Sequence, residues 1–184
     1  MKKLFLTGCF LMLGATVLFA QKYMTRTGKI YFDATTSQSP EKIEGINNEV
    51  ASIMDAKNGE IVFQVLIKSF KFERQLMEEH FNENYMESDK YPKSDFKGSI
   101  TNVGDVNFTK DGAYNVKVTG KLTMHGITNE VNVPGILTVK GNTIRVKAKF
   151  SVKLQDYKID VPSVVADKID KNASITMECD LVQK

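Results

Sequence analysis

The sequence predicts an all-β protein, an antiparallel barrel of about eight strands with one helix inserted near one end. Apolar and polar residues alternate with a period of two along most of the chain, and turn-forming Asn, Asp and Gly residues separate the alternating runs. One segment changes to a helical period. Such alternation is typical of antiparallel strands with one buried and one solvated face. A two-sheet sandwich has the same periodicity and is the alternative architecture.

The alternating runs define the strands in chain order. Eight strands can close a barrel around packed side chains or one small ligand, and closure removes the unpaired edges that consecutive strands otherwise leave. We expect the fourth run to continue past Gly104 and the sixth to be broken at Pro134-Gly135. The predicted strands cover residues 29–34, 50–55, 60–70, 96–108, 115–124, 131–139, 144–154 and 173–181.

A helix is predicted over residues 73–87, where apolar residues recur at spacings of three and four. Pro92 prevents a longer helix. A short second helical turn is expected at residues 163–169, after Pro162. Both segments break the strand alternation, so we place them outside the sheet or across one end of it.

The first twenty residues are expected to be a secretory signal peptide, with residues 21–184 forming one barrel domain. Lys2 and Lys3 precede an almost wholly apolar run from residue 4 to residue 19, and polar residues follow Ala20. The run is short for a membrane span, and no longer one follows. We therefore expect a periplasmic or secreted protein with no transmembrane segment in the mature chain. Acylation of Cys9, as in a lipoprotein, is the less favoured alternative.

Length, net charge and cysteine content exclude further classes of protein. The chain has 184 residues, 42% hydrophobic and 26% charged, which suits one globular domain with a sizeable core. Removal of Lys2 and Lys3 lowers the formal net charge from +3 to +1, so no basic surface for nucleic acid is expected. Removal of Cys9 leaves Cys179 as the one cysteine of the mature chain. Its place in an alternating run predicts a buried, unreactive thiol rather than a disulfide.

No catalytic motif stands out in the sequence. There are two histidines, His80 and His125, without an H-E-x-x-H pattern, and there is no G-x-S-x-G elbow, phosphate loop or dinucleotide fingerprint. We therefore predict a protein that is not an enzyme and has no metal or catalytic cofactor. A hydrolase using either histidine is the alternative, and it would require a polar cleft that joins the imidazole to a carboxylate.

The residues predicted to face the barrel interior are apolar and uncharged. A hollow interior of this kind would hold a hydrocarbon-rich small molecule, whereas a packed interior would indicate a structural or adhesion-type secreted domain. The predicted lining residues are Phe63, Val65, Ile67, Phe81, Phe96, Ile100, Val118, Leu122, Val146 and Phe150, with Leu76, Met77 and Tyr85 closing one end.

Two segments carry a resemblance to a known family. Residues 76–92 (LMEEHFNENYMESDKYP), followed by Phe96-Lys97-Gly98, resemble the helix-to-strand signature of the YceI-like family. Residues 120–128 (GKLTMHGIT) resemble its second signature, a turn that contains His-Gly. Together with the strands between and after them, these motifs cover most of residues 28–183.

The resemblance implies a secreted or periplasmic, lipocalin-like barrel that binds a polyisoprenoid chain, such as a quinone or its precursor, without catalysis. The bound isoprenoid lipid or quinone would be the only cofactor-like group, and a homodimer stays open. The sequence departs from the family pattern in the first strand and the hairpin after it, which affects one wall of the pocket. His125, in the matched turn, would either contact a ligand head group or fix the turn through a backbone contact.

Overall fold

The structure is a computed structural model that describes residues 22–184. The predicted signal peptide lies outside the described residues. Within them the chain forms nine strands: β1 (Lys22–Thr35), β2 (Glu44–Asp55), β3 (Glu60–Leu66), β4 (Lys71–Phe72), β5 (Lys93–Ile100), β6 (Gly112–Met124), β7 (Ile127–Lys140), β8 (Thr143–Lys153) and β9 (Ile169–Gln183).

Eight of these strands close an antiparallel barrel, which confirms the predicted fold class. Their order around the barrel is β1-β9-β8-β7-β6-β5-β3-β2, and pairing between β1 and β2 completes the ring. The two-residue β4 adds to the end of β2. Alternate side chains point inward, and β2, β3, β7, β8 and β9 each contribute one large, fully buried residue: Met54, Ile61, Leu137, Ile144 and Leu181.

Two predicted strands are too long. The strand expected over residues 60–70 ends at Leu66 and turns into a 3-10 turn, Ile67–Ser69. The strand expected to continue to Phe108 ends at Ile100, and a second 3-10 turn follows at Val103–Asp105.

The end of β5 is set by the neighbouring strand. β3 begins at Glu60, opposite Ser99, so β5 has no partner on that side beyond Ile100. Beyond Ile100, the side chain of Asn102 replaces part of the backbone pairing with β6. It accepts a hydrogen bond from the Lys117 N–H at 2.9 Å. It also donates to the Asn115 carbonyl at 3.1 Å.

The prediction that Pro134 breaks a strand is wrong, because β7 runs unbroken through it. Pro134 lies opposite Lys117 of β6, whereas pairing between β7 and β8 begins only at Gly135, opposite Ala148. Proline has no N–H to donate, so it is tolerated where one side of a strand is free.

Residues 127–134 of β7 and 149–153 of β8 therefore have no backbone pairing with each other, and this unpaired stretch of the barrel wall is called the lateral gap. In the described chain the backbone pairing of these two strands is confined to residues 135–140 and 143–148. The far end of the lateral gap is bridged by Asn129, whose side-chain amide donates to the Asp156 carbonyl at 2.8 Å.

The predicted helix is present but shorter than expected. It consists of α1 (Gln75–His80), continued by one π-helical turn (Phe81–Tyr85). The residue before it, Arg74, is already extended, and Glu87 after it has a φ of 42°, which ends the helical path. The second helical segment is a 3-10 turn, Ser163–Val165. Within residues 22–184, no helix combines the length and apolar character needed to cross a bilayer.

Candidate ligand-binding cavity

The barrel encloses an apolar space, here called the inner cavity, with a volume of about 140 Å³. Inward-pointing side chains from β1, β3 and β5–β9 form its wall. Ser94 is the polar side chain among them, and its hydroxyl is already used in a hydrogen bond to the Thr123 carbonyl at 2.8 Å. A wall without free polar groups can bind a hydrocarbon by burial and offers nothing to orient a polar ligand.

A second space, the outer cavity, lies between the barrel and α1 and has a volume of about 300 Å³. It is more polar than the inner cavity, since Glu41, Arg74, His80 and Lys168 stand among its lining residues. Arg74 and Glu41 form an ion pair there. Leu76 is 52% exposed, so this cavity meets solvent beside the helix.

Four aromatic rings are packed between the two cavities. Phe81 lies at the centre of this aromatic cluster, with ring centroids 4.9 Å from Phe72, 5.2 Å from Phe70 and 5.6 Å from Phe32. Phe81 contributes to the wall of both cavities and is itself buried. Aromatic pairs at these distances are worth roughly 0.5–1.5 kcal/mol each beyond the area that they bury. The cluster therefore closes the barrel interior at the α1 end.

Most of the predicted lining residues lie at one of the two cavities. Leu76, Met77 and Tyr85 line the outer cavity, and Phe81 lines both. Ile100 and His125 line neither of the two; both are buried elsewhere. The predicted residues that line the inner cavity are Phe63, Val65, Ile67, Phe81, Phe96, Val118, Leu122, Val146 and Phe150.

His125 fixes the connection between β6 and β7 to the rest of the barrel. Its Nδ1 lies 3.0 Å from the Tyr157 carbonyl oxygen, and its ring meets Tyr91 edge to face at 4.7 Å. The backbone at His125 has a φ of 51°. Its Nε2 is 3.4 Å from a carboxylate oxygen of Glu87, too far for a strong hydrogen bond. The contact with the Tyr157 carbonyl is the backbone contact that is required if His125 fixes the turn.

Several lining residues were not predicted from the sequence. Ile30, Phe32, Ile175 and Met177 have the inward parity of their strands, so the alternation itself could have found them. Leu154 and Ile159 lie in and after the 3-10 turn that follows β8, where no periodicity marks a face. The inner-cavity residues absent from the prediction are Ile30, Phe32, Ile61, Phe70, Met86, Ser94, Val116, Met124, Val131, Val133, Gly135, Ala148, Val152, Leu154, Ile159, Ala173, Ile175 and Met177.

The reactive groups of the chain are dispersed. In the part of the chain that the structure describes, His, Cys, Asp and Glu side chains form no group of three or more suited to a metal ion. Cys179 is buried between β8 and β1, and this burial raises the pKa of its thiol to about 12. A thiol with that pKa is neutral at physiological pH and a poor nucleophile.

Comparison with known proteins identifies the family. A family model described as the YceI-like domain matches residues 22–181, nearly the whole described chain. The chain belongs to the YceI-like family. A search of curated proteins returned no match.

Three solved structures share the fold of this YceI-like chain at low sequence identity. A polyisoprenoid binding domain from Saccharophagus degradans, implicated in plant cell wall breakdown, is 10% identical with a TM-score of 0.75, over 90% of this chain and 99% of that one. BcnA from Burkholderia cenocepacia is 17% identical with a TM-score of 0.68, over 84% and 96%. The YCEI protein of Campylobacter jejuni is 14% identical with a TM-score of 0.57, over 81% and 89%.

Proposed function

We propose that this YceI-like protein binds an apolar, chain-like lipid inside its barrel, such as a polyisoprenoid or a quinone that carries one. The observation that supports this most directly is the inner cavity, whose wall is apolar apart from one hydroxyl that is already hydrogen-bonded. An interior lined in this way has no means of recognising a sugar, a nucleotide or an ion. It favours any molecule that removes hydrocarbon surface from water.

Burial alone can provide the affinity. Each CH₂ group transferred from water into an apolar site contributes about 0.8 kcal/mol. Roughly ten such groups outweigh the cost of association and give useful binding. The polar side of the outer cavity, with Arg74, His80 and Lys168, would then meet the less apolar end of the ligand.

The Saccharophagus degradans neighbour is described as a polyisoprenoid binding domain, and this supports the same ligand class here. The proposal also includes export, which rests on the signal-like residues 1–20, and a role in binding without catalysis. Within the described residues, one histidine lies within 4 Å of a carboxylate, and this pair is His125 and Glu87. Both residues lie outside the two cavities. A hydrolytic site would need this pair to face the bound molecule.

Native ligand extraction tests the proposal. The protein would be purified under native conditions after expression from its complete coding sequence, extracted with organic solvent, and the extract analysed by mass spectrometry. A stoichiometric isoprenoid lipid or quinone is expected. An extract without bound lipid, together with no binding of added polyprenyl compounds, would favour the alternative of a structural or adhesion-type β-domain.

A further inference from the structure

We infer that Phe81 sets the length of the chain that the barrel accepts, because its side chain separates the inner cavity from the outer one. This inference rests on the proposed function. It goes further by naming one residue as the determinant of ligand length.

The size of the inner cavity makes such a boundary matter. At about 140 Å³ it is close to the ~150 Å³ engineered cavity that accommodates a molecule as small as benzene. A chain of several isoprene units exceeds that space. The outer cavity offers about 300 Å³ more, so a longer chain must extend past the residues that the two cavities share.

Five residues line both cavities, and Phe81 is the one at the centre of the aromatic cluster between them. Phe32 lies in β1, which is hydrogen-bonded to β2 on one side and to β9 on the other, opposite Gly45 and Ile175. Phe81 instead begins the π-helical turn, outside the barrel ladder. The residues common to both cavities are Phe32, Phe81, Met86, Leu154 and Ile159.

The segment that carries Phe81 is suited to movement. α1 has six residues, none of them buried, and no side chain caps its N-terminus. A π-helical turn within a helix is a rare feature that occurs often at functional sites. Phe81 can therefore move with its own turn, at the cost of its ring contacts to Phe32, Phe70 and Phe72, while the hydrogen bonds of the barrel stay intact.

Binding of straight-chain primary alcohols of increasing length, measured by displacement of the fluorescent probe N-phenyl-1-naphthylamine from lipid-stripped protein, tests this inference. In the wild type, affinity should rise with each added CH₂ and then level off at a limiting length. Phe81→Ala joins the two cavities and should move that limit to longer chains, with at least tenfold tighter binding of the longest alcohols. Phe81→Leu, a milder change, should give an intermediate limit.

Phe63→Ala is the matched control. Phe63 is as buried as Phe81 and also lines the inner cavity, but it does not border the outer one. Phe63→Ala should increase the limiting alcohol length only by the space of one ring. Folding of every variant would be checked by circular dichroism before titration.

Equal limiting lengths in folded Phe81→Leu and wild-type protein would overturn the role of Phe81, as would an equal extension in Phe63→Ala and Phe81→Ala. If no alcohol displaced the probe from any form of the protein, the proposed lipid-binding function itself would fail. The two failures are therefore distinguishable.

Discussion

Gly98 of β5 and Gly120 of β6 lie directly opposite each other, and no room exists for a side chain on either. A Cβ built on Gly98 would fall 2.4 Å from the Thr119 carbonyl oxygen and 2.6 Å from the ring of Phe96. A Cβ on Gly120 would fall 2.5 Å from the Gly98 Cα. The two glycines let the ring of Phe96 lie against the barrel wall, where it lines the inner cavity.

We therefore expect Gly98→Ala to destabilise the protein by about 1–3 kcal/mol, because backbone atoms must shift to admit the methyl group. Chemical denaturation would measure this loss. Gly104→Ala is the control, since a Cβ there meets nothing within 4 Å, and its effect should stay within about 0.5 kcal/mol. Equal stabilities of the two variants would contradict the close packing at Gly98.

A charge on the inner face should prevent ligand binding. Val118 lines the inner cavity, and Val118→Lys would place an ammonium group in an apolar space without a partner. We expect loss of co-purifying lipid or loss of folding. Asn115→Lys adds the same charge on the exposed face of the same strand and should retain both. Normal lipid content in folded Val118→Lys protein would show that its side chain does not face the ligand.

Cys179 should resist alkylation in the folded protein. Burial raises the pKa of its thiol to about 12, so the reactive thiolate is scarce at pH 8. In protein that consists of residues 21–184, iodoacetamide is expected to alkylate Cys179 only after denaturation. Mass spectrometry would follow the labelling. Ser151→Cys, an exposed position on β8, supplies the comparison and should react within minutes. Rapid labelling of Cys179 without denaturant would mean that β9 opens readily from its neighbours.

Acid should weaken the contact between β8 and β9 at Asp180. Arg145 holds both carboxylate oxygens of Asp180, at 2.6 and 2.8 Å, and this contact lowers the pKa of the carboxyl below its ordinary value. A carboxyl whose pKa is lowered on folding contributes stability above its unfolded pKa of about 3.9, and that contribution is lost as the pH falls through the folded value.

Asp180→Asn should therefore cost less than about 1 kcal/mol at pH 7, since the pair is half exposed. The difference from wild type should vanish at pH 2–3. Unfolding curves at several pH values would measure it, with Glu60→Gln as a control on the exposed surface. A difference that grew towards low pH would contradict the assigned direction of the pKa shift.

His125 should matter for stability more than for ligand binding. His125→Ala removes the contact with the Tyr157 carbonyl and leaves an alanine at a φ of 51°, so a loss of about 1–3 kcal/mol is expected. His125→Asn should lose less, because asparagine tolerates this backbone region. Alcohol affinities of the folded variants should match wild type. A selective loss of affinity without a loss of stability would instead support a head-group contact.

Periodicity predicted the fold well because each barrel strand has one dry and one wet face. It could not predict where strands end, because an end depends on the neighbouring strand. β5 stops at Ile100, where β3 no longer accompanies it, although apolar residues continue in the chain. The prediction of a strand break at Pro134 was wrong for a related reason. A proline interrupts a strand only if its missing N–H is needed for pairing. Here that side of β7 faces the lateral gap.

The site was predictable in part for the same reason. Parity tells which face of a strand a residue occupies, and this placed Val118, Leu122 and Phe150 at the inner cavity. Parity does not tell the depth along the barrel. Ile100 has inward parity, yet it lies beside the turn at Gly59 and lines neither cavity. The division into two cavities depends on the packing of Phe81, and no sequence pattern encodes it.

The lateral gap also bears on strand addition from a second molecule. Unpaired strand edges invite a strand from another molecule to add to the sheet, which is a common start of aggregation. Here the free edges carry Pro134, which cannot donate, and the outward charges of Glu130, Lys149 and Lys153. These are the residue types that block intermolecular strand addition. The unpaired stretch of β7 and β8 therefore carries its own protection against the addition of a strand from another molecule.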